Sequence, residues 1–186
     1  ASPFVISPWT PGIETWVRRL QPAPAWVTRA PDASFSNGTC CADEYVRNRG
    51  GMAFTIELSQ RGFSASAAAA TTRVMADALD AVAAGPIPGA PGPLPTCYRT
   101  AHTEPFSHSG LALKVGLANF QPVQRGDNLA APGRPDLWVP DDGLLLFPKY
   151  PHRDAAGLVD GPLPGEIYRL LLPLDRPPSE TYGGRP

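Results

Sequence analysis

The chain has 186 residues and only three cysteines, Cys40, Cys41 and Cys97. An odd count with one adjacent pair is a poor disulfide framework. Without a Cys-x-x-Cys spacing it is also a poor zinc site. That usage points to a reducing, cytoplasmic setting. Charge of one sign is lacking too: 16 Lys and Arg stand against 17 Asp and Glu, for a formal net charge of −1. No field of that kind gathers nucleic acid or an anionic membrane, so neither is an expected partner. No run reaches the ~18 apolar residues of a bilayer span. Neither His-x-x-Glu nor His-Glu-x-x-His occurs, and there is no Gly-x-Ser-x-Gly elbow and no phosphate-cradling Gly-rich loop. Their absence argues against a self-contained zinc protease, a serine hydrolase of the elbow type and a nucleotide-binding loop. No basic-then-apolar stretch of the signal-peptide kind opens the sequence. The first residues are Ala1-Ser2-Pro3 rather than Met, as at a processed end or the edge of a fragment.

Proline is abundant, at 24 residues, and glycine adds 18. Many turns, long loops and few long helices follow. With 42% hydrophobic and 18% charged residues, the composition is that of a globular protein of one ordinary domain or two small ones. Phe4-Val5-Ile6 and Ala25-Trp26-Val27 read as strands, and Ile13 to Leu20 as an amphipathic helix. Residues 31–41 read as a loop. Ala42 to Asn48 and Ser64 to Ala84 read as helices, the second with an apolar stripe of Val74, Ala78, Leu79 and Val82. Residues 85–96 form a Pro/Gly segment that sustains neither helix nor interior strand, and so mark the boundary between domains at 1–85 and 97–175. Beyond it, strand-like runs at 97–103, 111–118, 128–131, 136–140, 143–148 and 166–173 predict a small antiparallel β-barrel or sandwich. Residues 176–186 read as a frayed tail.

The strongest chemical signal is Gly50-Gly51-Met52-Ala53-Phe54-Thr55-Ile56-Glu57-Leu58. It reads as an interior strand opened by a glycine pair and closed by Arg61-Gly62. A carboxylate in such a run is costly unless it is paired, metal-bound or at the solvent-facing end. Glu57 is therefore the candidate catalytic residue; the alternative is an edge-strand Glu, in water or in a salt bridge with Arg47, Arg49 or Arg61. Arg47, ten residues earlier, could clamp a substrate carboxylate; the alternative is an ordinary surface ion pair. The Pro122-to-Asp127 and Pro140-to-Gly143 segments read as hairpin turns with glycine at positive φ. His102 and His108, six apart around Pro105, fit neither helical nor strand chelation and read as loop residues. In Phe147 to Arg153, a Tyr and an Arg could face a pocket.

Together these segments resemble the succinylglutamate desuccinylase/aspartoacylase family, within the zinc carboxypeptidase clan. Gly51 to Leu58 is similar to the family's strand bearing its catalytic glutamate, the helix from Ser64 to the one after it, and Val123 to Phe147 to the C-terminal β-domain. The resemblance covers about residues 40–150. It implies an α/β fold: the C-terminal part of a mixed-sheet carboxypeptidase-like domain, followed by a small β-barrel-like domain. It also implies a metal-dependent amide hydrolase acting on an N-acyl amino acid or a similar small substrate. Glu57 would match the general base for a zinc-bound water, and Arg47 and Tyr150 would match substrate-binding residues. The family's zinc ligands and its substrate-contacting Asn-Arg pair are missing. The resemblance therefore implies the C-terminal portion of a longer enzyme, which alone binds no catalytic zinc and is inactive. Self-association is left open. A non-catalytic scaffold or binding module is the alternative from a different class; biotinyl-type carriers lack support because the Met-flanked attachment Lys is absent.

Overall fold

The structure is a computed structural model that describes residues 3–9, 11–19, 25–29, 41–58, 65–83 and 93–175. Most of the expected 31–41 loop, most of the Pro/Gly segment, the Arg61-Gly62 turn and the tail lie outside the described residues. The elements are β1 (Phe4–Pro8), α1 (Pro11–Val17), β2 (Ala25–Arg29), α2 (Ala42–Arg47), β3 (Thr55–Glu57), α3 (Ala65–Ala83), β4 (Cys97–Pro105), β5 (Pro122–Val123), β6 (Gly143–Leu146) and β7 (Glu166–Leu174). Strand order is β3-β1-β2-β4-β7-β6-β5. The sheet is mixed: β1 with β2 and β2 with β4 are parallel, while β1 with β3, β5 with β6 and β6 with β7 are antiparallel. Among the described residues no helix is long and apolar enough to cross a membrane.

The chain divides into two compact units. One runs from Thr100 to Leu172; the other takes the described residues before it and those from Pro173 onward. In the first of these in sequence, β1 is buried at every position from Phe4 to Pro8, as a parallel-sheet strand covered on both faces should be. Val5, Trp9, Ile13, Val17, Trp26, Val74 and Cys97 form its core. Trp9 stacks on Trp26 with ring centroids 4.4 Å apart, and the Trp26 indole N–H donates to the Ser7 carbonyl at 3.3 Å. Ile13 and Val17, four apart on α1, supply the helix's apolar face. The expected stripe on α3 is corrected: Val74 and Ala78 face the core, but Leu79 and Val82 are 67% and 64% exposed. The inward face is set by small residues that let the helix lie close to the sheet, and hydrophobicity alone does not reveal it.

The other unit is built on the C-terminal half of β4 with β7, β6 and β5. Its core includes Phe106, Leu113, Val139, Leu145, Ile167, Tyr168 and Leu170. Of the six expected strand segments, 97–103, 143–148 and 166–173 form β4, β6 and β7; the segments at 111–118, 128–131 and 136–140 make only the isolated bridges Leu113–Ala130 and Asn128–Trp138. The described pairings run in an open order, and the barrel-like closure expected from the sequence is not among them. Asn128 explains the local shortfall. Its side-chain oxygen accepts from the Ala130 and Leu137 amides at 2.9 and 3.1 Å, replacing ladder bonds with a side-chain bracket.

The two glycine turns differ in kind. Gly126 has φ +85°, the left-handed conformation expected of a tight turn. Gly143 is not at positive φ but begins β6. A Cβ there would lie 2.7 Å from the Leu171 carbonyl oxygen and 2.8 Å from Leu170 Cδ1. Close approach of β6 to β7, not φ, demands this glycine. Gly143→Ala is expected to destabilise the protein by ~1–3 kcal/mol through overpacking, read as a lower denaturant midpoint at unchanged slope.

Candidate functional site

α2 begins at a Cys41 whose amide donates to the Glu44 carboxylate at 3.3 Å, one half of a capping box. One turn on, Arg47 Nη1 donates to Asp43 Oδ2 at 2.6 Å and to the Ala53 carbonyl at 3.2 Å. The first bond is an i,i+4 ion pair of mostly buried side chains. The second ties the helix to the segment that leads into β3, across the tight Gly50 turn at φ +80°. Arg47 thus positions the approach to Glu57, and both of its bonds leave from one nitrogen.

Glu57 is the last residue of β3 and is half-buried. The expected interior strand is corrected: β3 has three residues, stands at one end of the strand order, and is flanked by Met52 and Leu58, which are 59% and 42% exposed. β3 is antiparallel to β1 and pairs Glu57 with Phe4, Ile56 with Val5 and Thr55 with Ile6. Glu57 therefore lies at the amino ends of β1 and β2. The crevice usual for an α/β sheet lies outside the carboxyl ends of its parallel strands. For Glu57 that rule applies only with respect to strands running in the direction of β3. As the terminal residue of an edge strand, the carboxylate sits where solvent or a ligand can reach it.

Tyr150 is a surface residue of the Thr100–Leu172 unit. Its hydroxyl donates to the Lys114 carbonyl at 2.9 Å and accepts from the Leu117 amide at 3.0 Å. Burial raises its pKa above the ordinary phenol value, with the Leu117 bond opposing. The side chain pins the 114–117 turn around Gly116. Tyr150→Phe is expected to cost ~1 kcal/mol and to accelerate hydrogen exchange at the Leu117 amide.

The histidines are not arranged as the sequence suggested. His102 is on β4, not in a loop, and its Nε2 lies 2.8 Å from Glu104 Oε2. The i,i+2 spacing of His102 and Glu104 on a strand was the signal for that pair. His108 Nδ1 accepts from the Gly110 amide at 3.2 Å, and His152 faces Asp160 at 3.4 Å on the surface. Among the described residues no group of three or more His, Cys, Asp or Glu is placed to hold a metal ion. Arg153, the arginine of the Phe147-to-Arg153 segment, donates through its guanidinium to the carbonyls of Ser109, Leu111 and Gly157.

A mixed α/β sheet in which a short edge strand ends in a carboxylate and is followed by a 19-residue helix defines the class of fold. The same fold is found in solved structures of succinylglutamate desuccinylase/aspartoacylase type. Succinylglutamate desuccinylase from Vibrio parahaemolyticus superposes with a TM-score of 0.62 at 17% identity, over 92% of this chain and 49% of that one. Succinylglutamate desuccinylase/aspartoacylase from Rhodobacter sphaeroides gives 0.61 at 15% identity, over 94% and 54%. The ectoine utilization protein EutE (DoeB) from Ruegeria pomeroyi gives 0.59 at 20% identity, over 92% and 55%. The chain spans about half the length of these structures. No family model matches it, and no curated protein sequence matches it.

Proposed function

We propose that this chain supplies part of an amide-bond hydrolase of deacylase type, acting on an N-acyl amino acid or a similar small carboxylate-bearing amide. The observation that carries the reading is Glu57, a half-buried carboxylate at the end of an edge strand, within the fold of desuccinylase structures about twice as long. In this reading further strands pair with the outer edge of β3 and run in its direction. The end of β3 then becomes a carboxyl-end crevice.

Glu57 acts there as general base. It takes a proton from the attacking water and returns it to the departing amine. Arg47, oriented by Asp43 and Ala53 through Nη1, offers Nη2 to a substrate carboxylate. A zinc ion, which would be held by side chains other than the described ones of this chain, would supply Lewis acidity to the reaction.

The test begins with the coding region upstream of Ala1. A strand followed by His-x-x-Glu supports the reading; a start codon immediately before Ala1 counts against it. Purified protein that includes the upstream segment is then assayed against N-succinyl and N-acetyl amino acids. No release of amine from either sinks the proposal.

A further inference from the structure

We propose that Arg134 and Arg153 form an oxyanion-binding site around Gly157, suited to a small ligand with paired oxygens such as a carboxylate or a phosphate. Both side chains converge on this glycine. Arg153 Nη1 donates to the Gly157 carbonyl at 2.8 Å and to the Ser109 carbonyl at 3.0 Å, and Nη2 donates to the Leu111 carbonyl. Three carbonyls therefore hold this guanidinium in one orientation. Arg134 reaches the same residue from the turn at Gly133, where its amide donates to the Ala131 carbonyl at 3.1 Å. A Cβ on Gly157 would collide with the Arg134 guanidinium, and Gly157 has φ +74°. The backbone conformation favours glycine at this position, and its lack of a side chain lets the Arg134 guanidinium lie against it.

Charge balance points to a ligand. Carbonyl oxygens carry no net charge, so the bonds of Arg153 leave its cation uncompensated. Among the described residues neither guanidinium makes an ion pair. The nearest acids in sequence each have another partner: Asp136 Oδ1 accepts from Asn128 Nδ2 at 2.7 Å, Asp154 Oδ1 accepts from the Leu158 amide at 2.8 Å, and Asp160 faces His152. The two cations act on each other, since burial and then Arg134 hold the pKa of Arg153 below the ordinary arginine value. Like charges held together in a half-buried setting are unfavourable until an anion lies between them. Arg134 keeps its planar set of donors for that anion, and the guanidinium fork matches two oxygens of a carboxylate or phosphate. The site lies wholly within the Thr100–Leu172 unit and does not use Glu57, Arg47 or Tyr150. It stands independently of the proposed hydrolase.

The test is a thermal-shift titration of the full chain with sodium phosphate, sodium succinate and sodium chloride at matched ionic strength. A ligand that binds only the folded state raises the melting temperature as its concentration passes Kd. A saturating rise with phosphate or succinate, absent with chloride, is expected. Phosphate alone identifies a phosphoryl ligand, and succinate alone a carboxylate; either result supports the site. Arg134→Gln, which breaks no bond within the fold, is expected to weaken binding at least about tenfold. Gly157→Ala should do the same, but it risks the turn itself. A wild-type chain that responds to phosphate and succinate no more than to chloride overturns the proposal. So does an Arg134→Gln chain that responds like wild type.

Discussion

Glu57→Gln, in a protein that joins this chain to the part of the fold it does not span, is expected to slow amide hydrolysis by about 100- to 10,000-fold. The amide keeps the size of the carboxylate and an oxygen acceptor, so packing at the end of β3 is preserved. It cannot take a proton from water or deliver one to the leaving amine. The loss should therefore fall on kcat, with KM little changed. Metal content measured on the same preparation should be unaltered, because Glu57 is assigned as a proton carrier and not as a ligand. Unchanged kcat would remove Glu57 from the mechanism. A parallel loss of bound metal would reassign it as a ligand.

Alkaline pH is expected to destabilise both units, through one buried group in each. Tyr168 is fully buried on β7. Burial and then the nearby Glu104 carboxylate raise its pKa from 10.0 to about 12. Cys97 is buried at the start of β4, and burial, then Glu14, against an opposing Arg18, raise its pKa from 9.0 to about 11. Both groups are neutral when protonated, and the fold favours that form. Below the unfolded pKa the contribution to stability is complete. Between the unfolded and folded values, the unfolded chain has released the proton that the native chain still holds. Stability then falls as pH rises. Each pKa unit corresponds to about 1.4 kcal/mol, so each group accounts for about 3 kcal/mol. The loss runs from pH 9 to 11 for Cys97 and from pH 10 to 12 for Tyr168.

Tyr168→Phe and Cys97→Ala should each flatten the corresponding part of the stability profile, followed by urea melts at stepped pH. Tyr168→Phe carries a second expectation. The Tyr168 hydroxyl is buried with no hydrogen-bond partner among the described residues. Removing it should leave stability at pH 7 unchanged or raise it by about 1–3 kcal/mol, since an unsatisfied buried hydroxyl is itself destabilising. A clear loss at pH 7 would mean that the hydroxyl has a partner in solution.

Much of the framework was legible in the residues because it is local. β1, β2, α1, α2 and α3 follow from short apolar runs, helical spacing and cap residues. α2 was placed to within one residue of Arg47. Errors arose where tertiary contacts overrode the pattern. Met52 and Leu58 have the composition of an interior strand, yet β3 is a three-residue edge with one described neighbour. Leu79 and Val82 look like core residues, yet the Ala67-Thr71-Val74-Ala78 side of the helix turns inward. Gly143 looks like a turn glycine, yet the backbone of β7 is what excludes a side chain there.

The sequence by itself determined which residue types were present for chemistry: one carboxylate in an apolar run, an arginine ten residues before it and no Cys-x-x-Cys spacing. It also determined most of the helices and strands, since propensity and periodicity act over a few residues. Only the tertiary structure decided the direction of β3, and with it the end of the sheet at which Glu57 lies. It alone brought Arg134 and Arg153 to one glycine and buried the Tyr168 hydroxyl where none of the described residues answers it. Strand direction, charge convergence and burial depend on residues far apart in the chain, so no local pattern encodes them.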